Sequence, residues 1–123
     1  HADNPENRTR LSYAKIVNGK AEAIAIFAQT EPLKGKVCFN LGYAVDPKSR
    51  GSKLSVEAVN TGIAEMKNGF DRNGHPSFYI EAVVGDDNKA SLKVAETIFG
   101  SKGTAITDSV SGLPARYFEK LIN

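Results

Sequence analysis

The sequence carries one cysteine, Cys38, among its 123 residues. A lone thiol excludes an internal disulfide and leaves no second thiol for a zinc cluster, a composition suited to a reducing compartment. No apolar run is long enough to span a bilayer, so membrane insertion is not expected. Charge of one sign is scarce too: 16 Lys and Arg against 14 Asp and Glu leave a formal net charge of +2, too balanced for a broad nucleic-acid surface. Residues 1–10 are polar and lack the apolar centre of a secretion signal, which makes the cytoplasm the expected location. Repeats, heptads, low-complexity tracts and linkers are missing as well. The expected organisation is a polar arm over residues 1–10 and one domain over residues 11–123. What remains, with 41% hydrophobic and 24% charged residues, is the composition of a soluble globular chain.

Two apolar runs, residues 11–17 and 21–29, flank Asn18-Gly19, a pair suited to the positive φ angles of a two-residue hairpin turn. In the second run Ile24 and Ile26 face one way and Ala23, Ala25 and Phe27 the other, which predicts a central strand covered on both sides. After a break at residues 31–35, alternation groups Val37, Phe39, Leu41, Tyr43 and Val45 on one face of a third strand. The opposite face carries only Cys38, Asn40, Gly42 and Ala44, which leaves room for a helix or a ligand. Val56, Val59, Ile63 and Met66 then predict an amphipathic helix over residues 53–67, stopped by Asn68-Gly69 and followed by a loop over residues 70–76. Residues 78–84 read as a buried strand. Residues 85–88 supply turn and N-cap chemistry for a second helix ending near Gly100, with Leu92, Ala95, Ile98 and Phe99 inward. Short strands over residues 104–110 and 116–121 close the series. The order β-β-β-α-β-α-β-β predicts an α/β (α+β) domain: a mixed, mostly antiparallel sheet with a helix on each face.

The third strand runs into Asp46-Pro47-Lys48-Ser49-Arg50-Gly51-Ser52, a basic turn at a helix start. Free backbone N–H groups and a positive dipole end suit such a turn to an anion, with Lys48 and Arg50 adding charge-assisted bonds. Residues 45–54 as a whole resemble the pyrophosphate loop of the GNAT acetyltransferases, and Glu57 lies where the ribosomal-protein and aminoglycoside branches of that family often have glutamate. Lys53 departs from the family, which has a small residue there. Asn88 and Ser91, followed by Ile98-Phe99-Gly100, resemble the family's Asn-x-x-Ser motif and the helix end after it. Read without the resemblance, Asn88 is a helix N-cap, Ser91 first-turn polarity and Glu57 a solvated or structural helix residue.

The resemblance implies acetyl-CoA or coenzyme A as cofactor, held by Tyr43, Val45, Lys48, Arg50, Gly51, Ser52, Lys53, Leu54, Asn88 and Ser91, with no metal. Pantetheine would pair with backbone between the ends of the strands at residues 43–45 and 80–84. A main-chain N–H near Tyr43 or Ala44 would polarise the thioester carbonyl, and Ser91 would donate to the departing thiolate. Acyl transfer to an amine needs a proton acceptor. Several relatives carry glutamate where this chain has Asn40, so Glu81, Tyr79 and His75 are the candidates, with Tyr117 as a possible acid. Cys38 is a nucleophile in principle, although a lone buried cysteine is more often inert. The family usually opens with a strand and two helices, and this sequence matches from the second strand onward, which implies that the sequence is a fragment, that another subunit completes the pocket, or that the protein binds coenzyme A without transfer. A sheet edge left open would invite a second copy, so a homo-oligomer is expected. The expected activity is acetyl transfer to a small-molecule or peptide amine in a ternary complex. A non-catalytic coenzyme A-binding or assembly module is the alternative, and nucleic-acid binding has only Lys48, Arg50 and Lys53 behind it.

Overall fold

A computed structural model describes residues 9–45, 53–72, 74 and 77–123. In chain order the elements are β1 (Arg10–Val17), β2 (Lys20–Leu33), β3 (Lys36–Val45), α1 (Leu54–Arg72), β4 (Phe78–Gly85), α2 (Lys89–Phe99), β5 (Thr104–Thr107) and β6 (Pro114–Ile122). The strands form one six-stranded sheet in the order β1-β2-β3-β4-β6-β5. Its neighbours are antiparallel except for β3 and β4, which run parallel. This is the mixed, mostly antiparallel sheet that the sequence implies.

Asn18 and Gly19 take φ angles of 53° and 78° and close the β1–β2 hairpin. Lys34 and Gly35 repeat the device between β2 and β3, with φ of 52° and 80°. The expected break at residues 31–35 is therefore shorter than its composition suggests: β2 continues to Leu33 across an irregularity between Thr30 and Leu33. Arg10 already belongs to β1, and Thr9 pairs with Gln29 through N–H donors of both residues.

The core lies on one face of the sheet. Phe27 faces Leu41 across β2–β3, Phe39 faces Ile80 across β3–β4, and Ala82 faces Phe118 across β4–β6, and all of these side chains are buried. Both helices cover this same face, whereas the sequence led us to expect one on each. Gly62 of α1 lies against Phe27 and Tyr13, while Phe99 of α2 stacks on Phe118 with ring centroids 5.4 Å apart. The reason is the chemistry of the other row. Asn40, Glu81, Tyr117 and Glu119 occupy it, and an apolar helix laid over them would bury polar groups at a cost of about 1–3 kcal/mol each where unpaired. Ile24 and Ile26 are accordingly half-buried on the open face, so among the described residues the helices cover β2 on one side only.

Helix α1 also runs past Asn68-Gly69 to Arg72. A helical glycine costs about 1 kcal/mol relative to alanine, and the burial of Phe70 outweighs it. The Phe70 ring sits 4.8 Å from that of Phe78 and 5.9 Å from that of Phe39. Strand β5 ends early, at Thr107, because the Asp108 carboxylate accepts from Val110 N–H at 2.8 Å and starts a turn.

Candidate active site

Only three residue pairs join β3 to β4: Cys38 with Tyr79, Phe39 with Ile80 and Asn40 with Glu81. Beyond them β3 stays with β2 as far as Val45, and β4 stays with β6 as far as Gly85. The two halves of the sheet therefore separate at Asn40 and Glu81. Along the split, residues 41–45 and 82–85 face one another with no ladder partner between them among the described residues. Backbone N–H and C=O groups seek partners, so two such walls suit an extended polar chain laid between them. A Cβ added at Gly42 would meet nothing within 4 Å, so the β3 wall has space beside it.

Helix α2 begins where β4 ends. Asn88 N–H donates to Gly85 O at 3.0 Å, and Asn88 Oδ1 accepts from Ser91 N–H at 3.2 Å. Asn88 is thus the N-cap, with its side-chain oxygen committed to the first turn. On the helix-covered face Tyr43 crosses from β3 to α2 and donates its hydroxyl to Ser91 O at 2.7 Å. Burial holds this phenol above its ordinary pKa, partly offset by the bond to Ser91. Val45 and Leu54 pack against the core, and Lys53 is exposed just before α1. Glu57, in the first turn of α1, pairs with Lys15 at 3.2 Å, as a structural partner would. Lys48, Arg50, Gly51, Ser52 and His75 lie outside the described residues.

Glu81 and Tyr79 are on the open face. Ser91 belongs to α2, which packs on the opposite face of the sheet. Glu81 stands at its mouth, beside Asn40 and directly across the β4–β6 ladder from Glu119. The Tyr117 hydroxyl lies between the two carboxylates, 2.9 Å from Glu81 Oε1 and 3.2 Å from Glu119 Oε1. Lys34 Nζ reaches Glu119 Oε2 at 2.9 Å and sits 5.6 Å from the centre of the Tyr79 ring. Hydrogen bonding to Lys34 holds the Glu119 carboxyl below its usual range, and the same bond holds the Lys34 ammonium above its own. Burial first, and the two carboxylates second, raise the Tyr117 phenol. The Cys38 thiol is fully buried and is pushed up to about 12 by burial and by its negative neighbour Glu81. At neutral pH it is a protonated apolar filler, not a nucleophile.

Sequence reasoning missed Glu119 and Lys34. Alternation along β6 puts Tyr117 and Glu119 on one face, but only the register brings them beside Glu81. No group of His, Cys, Asp and Glu side chains among the described residues is arranged to hold a metal ion, and no described helix is long and apolar enough to cross a membrane.

No family model and no curated protein matches the sequence. Solved structures do match, and they share its fold. The apo form of the ribosomal L7/L12 alpha-N-protein acetyltransferase RimL superposes with a TM-score of 0.69 at 14% identity, over 92% of this chain and 70% of that one. The ribosomal-protein-S18-alanine N-acetyltransferase of Escherichia coli gives 0.62 at 21% identity, over 93% and 70%. RimL in complex with coenzyme A gives 0.64 at 17% identity, over 92% of this chain and 62% of that one. The fold is that of GNAT-family acetyltransferases.

Proposed function

We propose that the chain is an acyl-CoA-dependent N-acetyltransferase that passes an acetyl group from acetyl-CoA to a primary amine by direct attack in a ternary complex. The observation that carries this reading is the parting of β3 from β4 after Asn40 and Glu81. A split lined by backbone, with α2 starting on one side of it and a carboxylate at its mouth, suits a pantetheine arm and an amine that meet inside the sheet. Bound acetyl-CoA would supply an activated thioester. Tyr43, Val45, Leu54, Asn88 and Ser91 would hold it, together with Lys48, Arg50, Gly51, Ser52 and Lys53 of the phosphate turn.

The chain's own residues then have separable tasks. A protonated amine is no nucleophile, so a base must take its proton, and Asn40 is unable to do so. Glu81, its cross-strand neighbour, supplies the carboxylate from β4 instead. A main-chain N–H of the β3 wall near Tyr43 or Ala44 would orient the acyl oxygen of bound acetyl-CoA, and Ser91, at the start of α2 on the helix-covered side, would donate to its sulfur. The related folds whose names include ribosomal-protein acetylation favour a peptide or protein amine as the acceptor.

Calorimetry with acetyl-CoA and an acetyl-transfer assay over a panel of amines and amino-terminal peptides test the proposal. The parent protein is expected to bind, and Arg50→Ala combined with Gly51→Asp to lose binding. Glu81→Gln is expected to bind as the parent does and to transfer about a hundredfold more slowly. No binding by the parent, or undiminished transfer by Glu81→Gln, would sink it.

A further inference from the structure

Glu81 and Glu119 face each other directly across an antiparallel ladder, an arrangement in which like charges repel. Two groups offset the repulsion. The Tyr117 hydroxyl stands between the carboxylates, and Lys34 neutralises the far oxygen of Glu119. Tyr117 has one proton and two anionic acceptors, at 2.9 Å and 3.2 Å. Which acceptor receives it depends on their relative charge. With Lys34 on Glu119, the pull of Glu119 is weakened and the shorter bond goes to Glu81.

Building on the reading of Glu81 as the group that takes the acceptor's proton, we propose that Glu119, anchored by Lys34, is a positioning residue that receives the Tyr117 hydroxyl whenever Glu81 is protonated. While Glu81 is ionised, Tyr117 donates to it and holds its carboxylate at the mouth of the split. When Glu81 takes a proton it becomes a poor acceptor, and the hydroxyl turns to Glu119, which stays charged. Tyr117 keeps its own proton throughout, and no covalent bond changes. The hydroxyl is satisfied in both states, so proton uptake at Glu81 strands no partly buried donor.

The other groups around Glu81 leave this balance to β6 and the β2–β3 turn. Cys38 on β3 faces Glu81 as a protonated thiol, Asn40 beside it is neutral, and Tyr79 lies under the Lys34 ammonium. The helices are on the far face. Lys34 is 61% exposed and is delivered by a turn residue with φ of 52°, so its side chain can be changed with little disturbance to the core.

The test is the pH dependence of acetyl transfer in Lys34→Gln, Glu119→Gln and Lys34→Arg, beside the titration of the Glu81 carboxyl carbon by NMR in protein labelled at glutamate. Glu119→Gln removes a negative neighbour and commits Tyr117 to Glu81, so the acidic limb moves to lower pH by about half a unit. Lys34→Gln leaves Glu119 uncompensated, draws Tyr117 away and opposes a second negative charge, so the limb moves to higher pH by a similar amount. Lys34→Arg restores the parental profile. Thermal unfolding and acetyl-CoA titration of each variant confirm that fold and cofactor binding are intact. Opposite shifts in the two Gln variants that shrink when Tyr117→Phe is added support the switch, since charge alone would give them without the hydroxyl; opposite shifts that persist undiminished with Tyr117→Phe overturn it. Shifts in the same direction, or none, overturn it. The NMR titration reads the switch without turnover, so a protein that shows the opposed shifts but transfers no acetyl group refutes the enzyme reading alone.

Discussion

At the scale of single residues, the open face of the sheet joins groups that have little meaning apart. Cys38 is the lone thiol, fully buried on β3 with Glu81 as its negative neighbour, and its pKa of about 12 leaves almost no thiolate near neutral pH. Alkylation by iodoacetamide is therefore expected to be negligible in the native protein and rapid in denaturant, as mass spectrometry would show; fast native labelling would contradict the burial. The Lys34–Glu119 pair has a pH signature. Glu119 is held below its ordinary value, so its contribution to stability is present above the normal carboxylate range and disappears as pH falls through its folded value. Lys34 is held above its ordinary value, so its contribution is present below the normal lysine range and disappears as pH rises through its folded value. Lys34→Ala is thus expected to lower the melting temperature slightly near neutral pH, with the difference vanishing at strongly acidic and strongly alkaline pH. Lys34 is exposed and Glu119 partly so, which keeps the effect small.

At the scale of elements, glycines on one helix separate propensity from packing. Gly69 of α1 has nothing within 4 Å of where a Cβ would stand, so Gly69→Ala should stabilise the protein by about 0.5–1 kcal/mol through helix propensity. Gly62, two turns earlier on the same helix, would place a Cβ 2.6 Å from Phe27 Cε1 and 2.8 Å from Tyr13 Cδ2. Gly62→Ala should cost about 1–3 kcal/mol, because α1 can approach β1 and β2 this closely only without a side chain. Urea unfolding of the two variants gives the signs directly. The same comparison explains what the sequence showed of the elements. Asn18-Gly19, the alternation along β3 and the Asn88 cap act within a few residues of themselves and were legible. The end of α1 was not, because Phe70 belongs to the helix through ring contacts with Phe39 and Phe78, which come from distant parts of the chain.

At the scale of the whole molecule, one parallel pairing inside an otherwise antiparallel sheet organises the site. The Asn88–Ser91 helix start was readable as a local pattern, as was the order of strands and helices along the chain. The side of the sheet on which each helix packs was not readable, since it depends on how the row containing Asn40, Glu81, Tyr117 and Glu119 aligns across β3, β4 and β6. Registers also create the carboxylate pair, with Glu81 opposite Glu119 at a sequence separation that no local pattern spans. The central claim is that the split between β3 and β4 receives the thioester arm of acetyl-CoA. Amide hydrogen exchange with and without acetyl-CoA tests it most directly. New protection should appear at residues 41–45 and 82–85, whose amides include groups facing the split, while β1 and β5 stay unchanged. Unaltered exchange along both walls at saturating acetyl-CoA would contradict the account.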